Sequence, residues 1–327
     1  MIKLNYPKFW ENKNIISTLL LIFTPIYLFA SYVRTICTKS IRLPGFVICV
    51  GNMTVGGSGK TQLVAWLAHH FTRKKYRFLI ITKAYKSNLK GAKLVDESDT
   101  AWGVGDESVL LRKYGQVLAT KSIKDALPII EKFKPEVIIF DDGMQNPGFI
   151  KDFILLVIDA ERNIGNGRLL PAGPLRQLPH EALDLADYLI MIGEKRCPNQ
   201  ALRIKIADHN KILFRATIGI KGDIDARKKY YAFTAIGDPG RFFNLLMEVG
   251  VDLIGSHIYP DHYHYTSEDI MGLKEEAKRL NALLITTMKD YVKLPDTTGI
   301  VCAESFLHFD SEKELLKRIY EKIKAHR

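Results

Sequence analysis

Along the first part of the chain, short unbroken apolar runs alternate with stretches in which apolar residues recur every three to four positions. The runs are Phe46-Val-Ile-Cys-Val50, Arg77-Phe-Leu-Ile-Ile-Thr82, Gln116-Val-Leu-Ala-Thr120, Val137-Ile-Ile-Phe140, Phe153-Ile-Leu-Leu-Val-Ile158 and Tyr188-Leu-Ile-Met-Ile192. Runs of this length with no polar alternation read as strands buried on both faces. Between them, residues 62–71 place apolar side chains at 63, 64, 67, 68 and 71, one face of a helix, and 108–112 and 123–133 read the same way. Strands alternating with helices at this pitch predict a mostly parallel sheet covered on both faces.

The pattern changes after Arg196-Cys-Pro-Asn199, a turn signal and a candidate boundary. Leu202-Arg-Ile-Lys-Ile206 and Ile212-Leu-Phe-Arg-Ala-Thr217 alternate apolar and polar residues and predict a two-stranded ribbon, a candidate interdomain hinge. A second α/β unit follows, with a strand over 230–236, a helix over 239–248, a strand over 283–286 and a basic amphipathic helix over 311–324. The expected organisation is an N-terminal segment (1–38), a parallel-sheet domain (39–200), the ribbon (201–229) and a second, smaller α/β domain (230–327).

The chemistry enters at Gly51-Asn-Met-Thr-Val-Gly-Gly-Ser-Gly-Lys-Thr61, between the first strand and the first helix. Strand, glycine-rich turn and helix form the context of a phosphate-binding loop, in which backbone N–H groups and the helix N-terminus face phosphate oxygens. Thr54, Val55, Gly56, Gly57, Ser58, Gly59, Lys60 and Thr61 are therefore candidate nucleotide contacts. Lys60 would reach the β- and γ-phosphates, and the Thr61 hydroxyl would hold Mg²⁺. Thr54 departs from the strict pattern, which wants Gly six positions before the Lys. Asp141 and Asp142, at the end of a buried strand, stand where a P-loop enzyme places its magnesium-side acid. The Gly- and Pro-rich stretch 165–176 carries Arg168 and Arg176, either of which could neutralise a transferring phosphoryl group.

A nucleotide site changes the reading of the N-terminus. Residues 14–33 are uncharged, bracketed by Lys13 and Arg34, and about the length of a bilayer-spanning helix. A cleaved signal peptide would export the nucleotide site away from ATP and is set aside. Lys3, Lys8 and Lys13 on one flank balance Arg34, Lys39 and Arg42 on the other, so the charge bias for a span is nearly nil. With Pro25 in its middle, the segment is expected to be a bent helix embedded from the cytoplasmic side rather than a true span. The net charge of +11 suits an anionic membrane surface or an acidic substrate. Its Lys and Arg are scattered and match no nucleic-acid recognition motif. Apolar and charged fractions of 47% and 25% are those of a globular protein. Four cysteines without a C-x-x-C pair point to reduced thiols in a cytosolic compartment, with no disulfide frame and no zinc site expected.

Taken together, the motifs resemble the tetraacyldisaccharide 4'-kinase (lipid A 4'-kinase) family. Matching stretches are Gly51-Asn-x-Thr-Val-Gly-Gly-x-Gly-Lys-Thr61, Gly105-Asp-Glu107, Asp141-Asp-Gly-x-Gln145 and Leu169-Leu-Pro-Ala-Gly-Pro-Leu-Arg176. Further on come Phe233-x-x-Ile-Gly-x-Pro239, Pro260-Asp-His262 and Thr286-Thr-x-Lys-Asp290, so the resemblance runs in order over nearly the whole chain. The family also carries Thr at the first-Gly position. Departures are Thr82-Lys-Ala-Tyr85 for Ser-Arg-Gly-Tyr, Asn146 for His, Gln177 for Glu, and Gln62 where Pro is common.

The resemblance implies an α/β fold with a P-loop kinase-like parallel-sheet domain, a smaller α/β domain on a β-ribbon hinge and a membrane helix. It implies transfer of the γ-phosphoryl group of ATP, with Mg²⁺, to the 4'-hydroxyl of an acylated glucosamine disaccharide 1-phosphate at the cytoplasmic face of the bacterial inner membrane. Catalytic roles fall to Asp106 as base, His262 as its partner, Lys60 and Arg176; Mg²⁺ to Thr61, Asp141 and Asp142; substrate contacts to Lys83, Tyr85, Gln145 and Arg168. Taken alone, the loop Tyr259-Pro-Asp-His-Tyr-His-Tyr265 also fits a metal site or a polar loop of stacked aromatics. Two rival functions are a membrane-attached ATPase or GTPase that energises a partner, and a nucleotide-sensing scaffold. Dependence of ATP turnover on the acylated disaccharide separates them.

Overall fold

A computed structural model describes residues 7–194 and 197–326. Lys3 and Arg196, named above, lie outside the described residues. The N-terminal segment is a bent helical run: α1 (Ile15–Leu19), a 3-10 turn at Leu20–Phe23, then α2 (Thr24–Cys37), with Pro25 in the first turn of α2, where its missing N–H costs nothing. Asn14 caps α1 by accepting from Ser17 N at 2.8 Å. Over Ile15–Cys37 the run is long and apolar enough to cross a membrane, and Ile15, Ile22, Ile26 and Phe29 project outward.

The first half then alternates as expected: β1 (Phe46–Asn52), α3 (Lys60–Arg73), β2 (Phe78–Thr82), β3 (Ala92–Leu94), α4 (Ala101–Val104), α5 (Asp106–Arg112), β4 (Val117–Thr120), α6 (Ile123–Phe133), β5 (Val137–Asp141), β6 (Phe153–Asp159), α7 (Pro179–Leu185) and β7 (Tyr188–Ile192). Successive residues of a strand face opposite sides, and both sides of β1 are buried. Phe46, Ile48 and Val50 meet Leu63, Leu67 and Phe71 of α3, whereas Val47 and Cys49 share a core with Ile130 of α6 and Leu183 of α7.

One expectation fails at the boundary. Leu202–Ile206, read as a strand of the ribbon, lies inside a helix, α8 (Gln200–Asp208). Asn199 caps it by accepting from Leu202 N at 2.9 Å. Leu202 and Ile206, four apart, are buried while Ile204 is 55% exposed, so the alternation in sequence masks a helical face.

The rest of the chain runs β8 (Ile212–Lys221), β9 (Lys229–Thr234), α9 (Pro239–Glu248), β10 (Asp252–Ile258), α10 (Ser267–Arg279), β11 (Leu283–Thr287), α11 (Met288–Tyr291), β12 (Ile300–Phe309) and α12 (Glu312–His326). All strands join one 12-stranded sheet, ordered β10-β9-β11-β12-β8-β7-β6-β1-β5-β2-β4-β3. The ribbon is made by β8 and β12, not by 202–206. Ile212–Ala216 pairs parallel with β7, and Ala216–Lys221 turns to pair antiparallel with Glu304–Phe309. Residues 300–303 of β12 pair parallel with β11. Two mainly parallel blocks thus meet at the antiparallel β8–β12 seam, and β3 adds a short antiparallel edge to the first block. The second block has cores of its own, Phe233, Ile270 and Leu273 on one face and Tyr230, Phe242 and Leu246 on the other. The last helix returns to the first block, where Leu315, Ile319 and Ile323 pack with the α3 side of the core.

Candidate active site

The site forms beyond the carboxyl ends of the central strands, where the flanking strands β5 and β6 lie on either side of β1 and leave a crevice. Asn52 ends β1 and donates from Nδ2 to Ser58 Oγ at 3.0 Å, closing the glycine-rich loop from within. Gly56 and Gly59 take left-handed backbone, φ 115° and 91°. A side chain at 59 would also lie 2.8 Å from Ile192. The early part of the loop is zipped onto the segment before Arg176. Thr54 bridges Leu175, Val55 N donates to Pro174 O at 2.8 Å, and Arg176 N donates to Met53 O at 2.8 Å. This pairing accounts for Thr54 at the first-Gly position: the backbone there runs extended beside another segment and needs no glycine. Gly56 and Gly57 are exposed at the tip, and Lys60 opens α3.

Around the loop the charges are sorted. Thr61 Oγ1 donates to Asp141 Oδ2 at 3.1 Å, and Asp141 Oδ1 is buried without a hydrogen-bond partner among the described residues. Burial pushes the Asp141 carboxyl up to about 7, with Lys60 opposing and Asp142 and Glu107 adding to the rise. Burial also pulls the Lys60 ammonium below its usual range, against the attraction of Asp142. Asp142, at φ 57°, accepts from Arg176 Nη1 at 2.8 and 3.0 Å, with Lys60 Nζ and Lys83 Nζ each 3.8 Å away. Burial alone would raise Asp142, but the three cations outweigh it and hold the carboxyl below the ordinary range. An orphaned carboxylate oxygen beside a threonine hydroxyl fits a hard divalent cation that keeps most of its water, such as Mg²⁺.

Asp106 stands at the first position of α5, behind Gly105, whose φ of 95° brings its backbone against Ala84. His262 reaches it from the second block, Nδ1 2.9 Å from Asp106 Oδ2. Burial opposes ionisation of Asp106, yet the His262 hydrogen bond and the charges of Lys293 and Lys289 prevail and lower its pKa. The Tyr85 ring lies edge-on to His262 with centroids 5.8 Å apart. A carboxylate held ionised beside an imidazole, at the edge of a phosphate-binding loop, can accept a proton from a hydroxyl.

Residues 16–324 match the family model described as tetraacyldisaccharide-1-P 4'-kinase. The tetraacyldisaccharide 4'-kinase of Rickettsia felis is 46% identical over 323 residues, 98% of each chain, and that of Rickettsia bellii 45%, over 98% of this chain and 100% of that one. The chain belongs to the tetraacyldisaccharide 4'-kinase family. Its fold matches a crystal structure of LpxK from Aquifex aeolicus in complex with ATP, with a TM-score of 0.74 and 28% identity over 94% of this chain and 100% of that one.

The positions where this chain leaves the family's usual motifs acquire physical context. Gln177 accepts from Gln145 Nε2 at 2.9 Å, and the same Nε2 lies 2.7 Å from Asn52 O. Gln145 Oε1 is 3.4 Å from Arg176 Nη1, so the Gln145 amide braces the loop at both ends. Ala84 sits at φ 48° in the left-handed region, where the family's usual glycine is free of Cβ strain.

Not every predicted residue gathers at the loop. Arg168 docks on the N-terminal helix, donating from Nη1 to Ser17 Oγ at 2.8 Å and Thr18 Oγ1 at 3.0 Å. The rest of its loop is fastened to the same segment. Asn166 N donates to Trp10 O at 2.7 Å, Trp10 Nε1 to Pro171 O at 3.0 Å, and Tyr27 OH to Arg176 O at 2.7 Å. Sequence reasoning gave no role to Tyr27, Lys289, Asp290 or Lys293. Lys289 and Asp290 belong to the Thr-Thr-x-Lys-Asp motif, so their signal was present; Lys293 and Tyr27 carried none.

Proposed function

We propose that this chain transfers the γ-phosphoryl group of ATP to the 4'-hydroxyl of a tetraacylated glucosamine disaccharide 1-phosphate, the lipid A 4'-kinase step. The supporting observation is that Asp106 of the phosphate-loop block and His262 of the second block meet at 2.9 Å beside that loop. An ATPase that only drives a partner has no need of a second block presenting a histidine to a carboxylate.

In this reading residues 56–61 receive the triphosphate, and Lys60 and Arg176 neutralise charge that builds on the transferring group. Thr61 and Asp141 would hold Mg²⁺, which lends positive charge to the phosphate oxygens. Asp142, held by Arg176, Lys60 and Lys83, keeps those cations in register. Asp106 takes the proton of the 4'-hydroxyl as its oxygen bonds to phosphorus and the bond to the ADP oxygen breaks; His262 orients the carboxylate. Lys83 and Tyr85, on the loop after β2, are assigned to the polar head of the substrate.

The exposed apolar face of α1 and α2 is assigned to the membrane, embedded from the cytoplasmic side where ATP is available, with the acyl chains beside it. The net positive charge favours an anionic surface. The β8–β12 seam serves as the hinge between the two blocks. Phosphate transfer from labelled ATP to the purified acylated disaccharide, beside a Lys60→Ala control, tests the proposal. ATP hydrolysis at the same rate with and without the lipid would instead favour the ATPase.

A further inference from the structure

Behind the Asp106–His262 pair lies a buried charge that the reaction above does not use. Lys293 follows α11, and its side chain is 1% exposed. Its Nζ lies 3.1 Å from Asp290 Oδ1 and 3.7 Å from Asp106 Oδ2, with the Tyr265 ring centroid 5.6 Å away. Asp290 is fully buried, and its other oxygen accepts from Thr234 Oγ1 at 2.6 Å and Thr287 Oγ1 at 2.8 Å. An ammonium this deep is costly unless paired, and Asp290 alone would pair it. Yet the lysine stands between two carboxylates, and the second comes from the other block of the sheet. At 3.7 Å its Nζ lies beyond hydrogen-bond distance of Asp106, so it acts on that carboxylate as a point charge and leaves it free to face His262.

We infer that Lys293 is a positioning residue for phosphoryl transfer, anchored by Asp290, which holds the Asp106 carboxylate charged and turned toward His262. The inference rests on the reading of Asp106 as the base. Other groups face Asp106 as well. Lys289 of α11 contributes charge but sits 3.5 Å from Glu107, its own partner. Asp261 lies 3.8 Å from the far nitrogen of His262. Lys293 has its second carboxylate contact with Asp106 itself, whereas that of Lys289 is with Glu107. Because Lys293 and His262 both come from the second block, the base is complete only when the two blocks pack as they do here.

The test is the pH profile of kcat at saturating Mg²⁺-ATP and acylated disaccharide 1-phosphate. Lys293→Met removes the charge, so Asp106 protonates more readily and the acid limb should move up by about one to two pH units, with turnover recovering as pH rises. Lys293→Arg keeps the charge and should leave the limb near its wild-type position. Lys293→Met strands Asp290 in the interior, so the Lys293→Met/Asp290→Asn variant, which removes both charges, should show the same displacement in a protein that folds. In an Asp106→Asn background, Lys293→Met should cost little further turnover. A loss of kcat equal at every pH, with the limb unmoved, would overturn the inference and mark Lys293 as structural. Normal turnover of Asp106→Asn alone would instead remove Asp106 as the base, a failure read separately.

Discussion

Asp106→Asn keeps the size of the side chain and part of its hydrogen bonding but cannot accept a proton. General-base contributions run to about 10²–10⁴-fold, and kcat should fall within that range while ATP binding survives. His262 acts on the same carboxylate through a single contact of 2.9 Å. A hydrogen bond to a charged group is worth about 1.5–3 kcal/mol, which corresponds to a loss of about 10- to 150-fold for His262→Ala. If the two residues act as a unit, the double variant is little worse than Asp106→Asn, and the product of the single losses overshoots the double loss by about the His262 factor. Single-turnover transfer from labelled ATP to acylated disaccharide in mixed micelles reads the chemical step without product release. The bland alternative is that Asp106 only opens α5, where a carboxylate in the first turn is worth about 0.3–1 kcal/mol of stability through the helix dipole and nothing in turnover. A folded Asp106→Asn with turnover within twofold of wild type would refute the reasoning, as would single losses that multiply fully in the double variant.

Lys83 Nζ lies 3.8 Å from Asp142, with its side chain 40% exposed, so Lys83→Ala should raise the KM for the lipid more than it lowers kcat; unchanged kinetics would leave the residue outside the site. Deleting residues 1–36 should release much of the protein from membranes, and Tyr27→Phe should keep membrane binding but lower kcat by disturbing the backbone at Arg176; a truncated protein that pellets as fully as the intact one removes the anchor role. Glu304 gives a pH test: burial would raise its pKa, but Lys113 Nζ and Tyr114 OH at 2.6 Å, with Lys221 at 3.6 Å, hold it low. Its stabilisation is therefore present above an unfolded value of about 4.3 and lost as pH falls through the lower folded one, so the melting-temperature gap between wild type and Glu304→Gln should close on acidification.

The parallel block was legible because buried strands and amphipathic helices leave different periods in the sequence. Phe46–Val50 and Val137–Phe140 fall inside β1 and β5, and the glycine-rich loop lies where a strand turns into a helix. The second block was harder. Leu202-Arg-Ile-Lys-Ile206 satisfies periods of two and of four equally, and only the Asn199 cap and the outward Ile204 resolve it as helix. The seam was missed because β12 lies about ninety residues beyond β8, and local pattern carries no information about such a pairing. Within the site, motif residues identified themselves through family resemblance, but their partners did not. Nothing in the sequence says that Asp142 is held by three cations, or that Lys293 lies behind Asp106.

The loop over 165–176 shows why residue type alone misplaces function. Its two arginines look equivalent in sequence, each flanked by Leu and close to Gly or Pro. The fold separates them. Arg176 grips Asp142 at the phosphate loop, while Arg168 grips Ser17 and Thr18 on the helix assigned to the membrane. One short loop therefore has an end in each place, and Tyr27 ties the N-terminal helix to the very carbonyl of Arg176. A charged side chain bonded to hydroxyls on an otherwise apolar helix fixes where that helix can lie. The seating of the N-terminal segment and the placement of Arg176 are consequently a single structural problem. A truncation that removes the anchor also removes Tyr27 and the Ser17–Thr18 contact, so lost activity in it reports two effects. Tyr27→Phe, which leaves the apolar surface and the Arg168 contacts intact, reports only the loss of the Tyr27 hydrogen bond to Arg176.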